Sequence, residues 1–133
     1  MSLLRRKNNP PVEPQVYPVG TCVKTEMGYF YISKPSYRLR IISTRVLSSW
    51  NFHRIAESTE KAVSNYKIMG KLGFRNGSLI YNIADGKLYL ISENKRHQIT
   101  NPDVLNLIGA KLNEIVTVSD EEMKLHSIGD ELT

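Results

Sequence analysis

Cysteine is nearly absent from this chain: Cys22 stands alone among 133 residues. An internal disulfide is therefore excluded, and with only His53, His97 and His126 beside it a zinc ribbon or zinc finger lacks ligands. Long hydrophobic runs are missing as well. No window approaches the roughly 18 consecutive apolar residues that a membrane-spanning helix requires. The start, Met1-Ser2-Leu3-Leu4-Arg5-Arg6-Lys7, passes into asparagine and proline without the apolar core of a signal peptide. What remains is ordinary: 41 % hydrophobic and 23 % charged residues exclude wholesale disorder. The length fits one compact domain or two very small ones. The expectation is a soluble, mildly basic protein of a reducing compartment, with no cofactor and no membrane partner.

Charge is spread unevenly. Residues 1–72 carry twelve Lys/Arg and four Asp/Glu, a net of +8, and residues 73–133 carry six and nine, a net of −3. Such asymmetry suits a basic face for nucleic acid, or a basic half that docks on an acidic neighbour or another copy.

Residues 1–19 differ from the rest. Four of the six prolines (Pro10, Pro11, Pro14 and Pro18) fall here, behind Arg5, Arg6 and Lys7. Proline fixes φ and removes a donor, so this stretch can join neither a helix nor a sheet interior. It reads as an extended arm that a partner surface orders, with Val12, Val16 and Tyr17 as apolar anchors and the basic cluster pairing with acidic groups. On that reading, removing the arm leaves the stability of the folded body nearly unchanged.

The rest of the chain contains an internal repeat. Gly20-Thr21 matches Gly77-Ser78, Tyr29–Ser33 matches Leu88–Ser92, and Arg38, Ile42 and Ser43 match Lys95, Ile99 and Thr100. Phe52, Ile55, Thr59, Glu60, Val63 and Tyr66 match Leu112, Ile115, Ser119, Asp120, Met123 and His126 at a constant offset of 60. Gly70 and Gly129 close the two stretches. The offsets drift only between 57 and 60, changing where loops are expected.

In the second copy, Leu79–Ala84 and Lys87–Ser92 are strand-rich and flank Asp85-Gly86, a type I′ hairpin signal. A polar turn at Glu93-Asn94-Lys95 precedes a third strand ending near Thr100. Asn101-Pro102 reads as a helix start, with Val104, Leu105, Leu107 and Ile108 as its buried stripe and Gly109 as its stop. Ile115–Val118 is extended, and Ser119 with Glu122 forms a capping box for a last short helix carrying Met123 inward. The fold class is therefore α+β: two tandem copies of a small β-meander plus two short helices, with an extended N-terminal arm. The boundaries are 1–19 for the arm, 20–72 for the first module and 73–133 for the second. The paired core positions are Ile55 with Ile115 and Val63 with Met123.

Catalytic signatures do not emerge. Gly70-Lys71 lacks the flanking glycine and hydroxyl residue of a phosphate loop, and no His-Glu-x-x-His or Cys-x-x-Cys pattern occurs. Asp120, Glu121 and Glu122 at a helix start compensate the dipole. Cys22, in a strand, reads as a packed thiol, and His126 as a structural substitute for Tyr66. Asn76-Gly77-Ser78 reads as a turn.

The aromatic and basic run from Tyr29 to Arg40 reads either as structural or as a binding surface. Tyr29 and Tyr31 share strand parity and face away from Phe30 and Ile32. With Tyr37, Arg38 and Arg40 they suit a protein interface or a stacking and phosphate surface.

The stretches Asp85-Gly86-Lys87-Leu88-Tyr89-Leu90-Ile91, Lys95–Thr100, Val104–Gly109, Ile115–Met123 and Gly129 together resemble a short repeat of phage structural proteins and bacterial surface proteins. The resemblance covers residues 77–132, with 20–72 as a degraded copy, and departs from the pattern at His126. It implies a non-enzymatic building block, used in tandem in virion or cell-surface assemblies. The expected function is a structural component of a phage neck, tail, baseplate or capsid surface, made in the host cytoplasm. Its partners would be other virion proteins and copies of itself. The alternatives are a nucleic-acid-binding accessory protein using the basic half, or a glycan or cell-wall-binding module using the tyrosine face.

Overall fold

A computed structural model describes residues 9–133; Arg5, Arg6 and Lys7 lie outside the described residues. The fold is α+β, with two five-stranded mixed sheets and three short helices. The chain divides into two compact units. One comprises residues 9–42 and Asn51–Leu72, the other Ser43–Trp50 and Gly73–Thr133.

In the first unit, β1 (Cys22–Thr25), β2 (Gly28–Lys34) and β3 (Tyr37–Arg40) form an antiparallel meander. β4 (Ile55–Glu57) joins parallel to β1 and β5 (Lys67–Lys71) parallel to β3, giving the order β4-β1-β2-β3-β5. The period-2 pattern of β2 decides which face is core: Phe30 and Ile32 are fully buried against Val23, Val63 and Tyr66. Register shifts between Arg38 and Arg40, where Gly70 lies in the left-handed half of backbone space at φ 131°. Only glycine adopts that conformation without strain, so the bulge is written into the sequence.

In the second unit, β6 (Leu79–Asn82), β7 (Lys87–Ser92) and β8 (Lys95–Gln98) form the meander. β9 (Val116–Val118) pairs parallel to β6, and β10 (Ser127–Ile128) parallel to β8. Read from the strand beside the first meander strand, the order is β9-β6-β7-β8-β10, with the same succession of parallel and antiparallel pairings as in the first unit. One face buries Leu79, Ile99 and Val104; Ile80, Ile91, Val118 and Met123 are buried too. The helices are α1 (Thr44–Trp50), α2 (Asp103–Leu107) and α3 (Asp120–Met123). The capping box opens α3 as expected: the Ser119 hydroxyl accepts from the Glu122 amide at 3.2 Å, and the Glu122 carboxylate accepts from the Ser119 amide at 2.9 Å.

Several local expectations are corrected. Asp85-Gly86 is half of a four-residue connection, because Asn82 pairs with Lys87 and the Asn82 and Asp85 side chains accept from the Ala84 and Lys87 amides. The two-residue turn lies one hairpin later, where Glu93 and Asn94 both take positive φ, 51° and 62°. Leu107 and Ile108 are exposed because α2 ends after five residues and the chain turns at Gly109. Ile55 and Ile115 sit on the outermost strand or at its margin, so neither is fully buried, while Val63 and Met123 are core. Residues 43–50 group with the second unit rather than with residues 20–72, because Glu122 and Gly73 hold α1 there.

Ile80 has no exposed surface, whereas Leu112 is 80 % exposed. Ile80→Ala should cost about 2–5 kcal/mol and Leu112→Ala under ~0.5 kcal/mol in urea titrations. Ile115→Ala should fall between them.

Candidate interaction site

The Tyr29–Arg40 run divides between two faces. Tyr29 and Tyr31 are half-buried on the face opposite Phe30, as strand parity requires. Lys24, directly across from Tyr29, places its ammonium 5.7 Å from that ring, and Phe52 packs a tilted ring 6.0 Å from Tyr31. Tyr37 stands exposed at the start of β3. Tyr29 and Tyr31 thus share one half-buried sheet face, while Tyr37 is exposed at a strand end.

Arg38 does not belong to that surface. Its guanidinium lies 4.3 Å from the Phe30 ring on the core side, and the residue is buried. Nη1 and Nη2 donate to both Glu60 oxygens at 2.9 and 2.8 Å, and Nε donates to the Tyr66 carbonyl at 3.0 Å. Glu60 also accepts from the Thr25 hydroxyl at 2.6 Å. The Arg38 hydrogen bonds, aided by Thr25 and the nearby cations, outweigh burial and hold the Glu60 carboxyl below its ordinary range. Arg40, directly opposite Phe30, reaches the same ring at 5.2 Å. Both arginines were candidates for a partner surface; β3 parity turns them onto the core aromatic instead.

Register shows which residue of the second unit corresponds to Arg38. Arg38 stands opposite Ile32 and Arg96 opposite Ile91, so the counterpart is Arg96 and not Lys95. Arg96 lies 5.8 Å from the Tyr89 ring, and its Nη1 donates to the Met123 carbonyl at 2.8 Å. No carboxylate meets it: Arg96 Nε is, among the described residues, a buried side-chain nitrogen without a hydrogen-bond partner. Asp120, aligned with Glu60 in the sequence, instead stands 3.9 Å from Lys124 on the surface.

The arm is not free over its described length. The Thr59 hydroxyl donates to the Pro11 carbonyl, the Gln15 amide donates to the Ala62 carbonyl, and the Tyr17 amide donates to the Tyr66 hydroxyl at 2.8 Å. The Tyr17 and Ser58 hydroxyls lie 2.7 Å apart, and the Tyr17 ring packs on the first core. Residues 11–17 are thus part of the first unit, and their removal would strip Tyr17 from that core, contrary to the expectation of an independent arm. Val12 and Val16 do face outward, 64 % and 93 % exposed.

Two buried polar groups organise the second unit. Glu122 caps α3 and also accepts from the Ser43 hydroxyl and from Arg45 Nη1, each at 2.7 Å. Burial alone would raise its carboxyl, but the Ser119 and Ser43 hydrogen bonds and Arg45 prevail and lower it. His126 Nε2 accepts from the Phe74 amide at 2.9 Å, which leaves Nδ1, 3.1 Å from the Asn94 carbonyl, as the proton donor. The imidazole is therefore neutral, and burial lowers its pKa against the Asn94 carbonyl, with Arg96 adding to the fall.

A cleft of about 530 Å³ in the first unit is lined by Gly20, Thr21, Cys22, Phe52, His53 and Arg54, among others. Burial raises the Cys22 thiol to about 11, so it is not a thiolate at neutral pH. No cluster of three His, Cys, Asp or Glu residues suited to a metal, and no helix long and apolar enough to cross a membrane, occurs among the described residues. Exposed apolar side chains gather instead at Leu107, Ile108 and Leu112 and along the outer strands, at Ile68, Met69, Val116 and Ile128. Sequence reading missed these because the apolar pattern of each short element predicts burial. No protein-family model, curated protein or solved structure matches the chain.

Arg38→Ala leaves the half-buried Glu60 without its cation and the Tyr66 carbonyl without its donor, and should destabilise by about 2 kcal/mol. Tyr37→Ala, at the surface, should stay near ~0.5 kcal/mol in the same denaturation series. For His126, the unfolded imidazole gains a proton near pH 6.5 while the folded one resists, so the unfolded state binds more protons. Stability should therefore fall as pH drops below about 6.5, above the window in which the carboxylates Glu60 and Glu122 titrate. His126→Gln, which keeps an acceptor for the Phe74 amide, should lose most of that pH 5–6.5 dependence in urea midpoints.

Proposed function

We propose that this chain is a non-enzymatic structural component of a phage particle, in its neck, tail, baseplate or capsid surface. On this reading it consists of two tandem copies of one meander module and acts by binding neighbouring subunits. The observation that carries the reading is the apolar surface left outside both cores. Leu107 and Leu112 are 84 % and 80 % exposed, and each terminal strand bears at least one outward aliphatic side chain. Exposed aliphatics on edges and short helices mark protein contacts rather than substrate chemistry. The two-copy reading draws on the shared strand order of the sheets and the matched positions of Arg38 and Arg96. The virion assignment draws on the resemblance of residues 77–132.

A nucleic-acid role is less favoured, since Arg38 is spent on Glu60 and Arg40 on the Phe30 ring. Quantitative mass spectrometry of purified, nuclease-treated particles tests the reading. The protein should be present at a fixed ratio to the other structural proteins, and the isolated chain should bind duplex DNA weakly at about 50 mM salt. Absence from particles, together with DNA binding that falls steeply between about 50 and 200 mM salt, would overturn it.

A further inference from the structure

β5 and the segment from β10 to Leu132 occupy the same place in their two sheets. Each ends its sheet, running parallel to the third meander strand, with Ile68 opposite Arg38 and Ile128 opposite Arg96. The Leu72 amide donates to the Arg40 carbonyl and the Leu132 amide to the Gln98 carbonyl, both at 2.8 Å. Ile68 thus corresponds to Ile128, and Lys71 to Glu131. Among the described residues, each strand has one hydrogen-bonding edge with no further strand beside it in its sheet.

Chemically the two edges are opposites. The first carries Lys67 and Lys71, the second Asp130 and Glu131, all exposed. Both add outward apolar surface: Ile68 is 40 %, Met69 56 % and Ile128 74 % exposed. Charges on an edge strand normally prevent pairing with its own kind. Here a lysine edge repels a lysine edge and an acidic edge repels an acidic one, while the two unlike edges attract.

We propose that copies of this chain associate head to tail, the β5 edge of one copy pairing with the β10–Leu132 edge of the next. The charge complementarity selects a second copy as the occupant, and the paired isoleucines supply the apolar contact. Because the two surfaces differ, each contact is heterologous, and repeated contacts build rings or open rows. The proposal names a partner for the assembly role above, but its geometry stands without any particular place in a virion.

Charge reversal tests it. In sedimentation velocity at about 50 mM salt, the wild-type chain should gain mass with concentration and lose it at about 0.5 M salt. A Lys67→Glu/Lys71→Glu variant has two acidic edges, and an Asp130→Lys/Glu131→Lys variant has two basic ones. Each alone should associate at least about tenfold more weakly than wild type, with unchanged circular dichroism. Mixed one to one, the variants offer only unlike edges and should recover wild-type association. A wild-type chain that stays monomeric would overturn the proposal. So would folded variants that associate normally alone, or that remain monomeric when mixed. Failure here leaves the particle-composition test untouched.

Discussion

The closing strands β5 and β10 are the parts of each unit with least support from hydrophobic burial, since every residue in them is exposed. What ties each unit shut is an arginine on the neighbouring strand. Arg38 lies against Phe30 and reaches the Tyr66 carbonyl, and Arg96 lies against Tyr89 and reaches the Met123 carbonyl. Each therefore joins the meander to the turn that delivers the last strand. A guanidinium suits this position because its flat face accepts an aromatic ring while its edge donates in fixed directions.

The two units satisfy the same position differently. In the first, Glu60 neutralises Arg38 through two hydrogen bonds. In the second, the buried carboxylate Glu122 serves the α3 cap and α1, and Arg96 Nε has no hydrogen-bond partner among the described residues. Tyr66 in the first unit binds the Tyr17 amide, while His126 at the aligned position binds the Phe74 amide. Each thus fastens a different chain segment to its own core.

Much of the strand pattern was legible in the sequence because period-2 burial leaves a direct trace: Phe30 and Ile32 inward, Tyr29 and Tyr31 outward. The Ser119–Glu122 capping box was legible because its chemistry lies within four residues. Arg38 was misread as a surface cation, since nothing local announces that Glu60, 22 residues away, waits on the core side. Nor does a proline-rich run reveal that Tyr17 hydrogen-bonds to Ser58, a contact made only once the strands have assembled. The repeat offset likewise misplaced Arg38 onto Lys95 by one residue, a slip that only backbone register corrects.

Native-state hydrogen exchange on Arg38→Met and Arg96→Met tests most directly whether these arginines close the two sheets. Methionine keeps apolar bulk over the ring while removing the guanidinium donors. In Arg38→Met the Lys67 and Leu72 amides, bonded to the Ser36 and Arg40 carbonyls, should exchange faster while the Gly129 and Leu132 amides keep wild-type protection. In Arg96→Met the pattern should reverse. Wild-type protection of the closing strand in its own variant would contradict the claim that the arginine holds it.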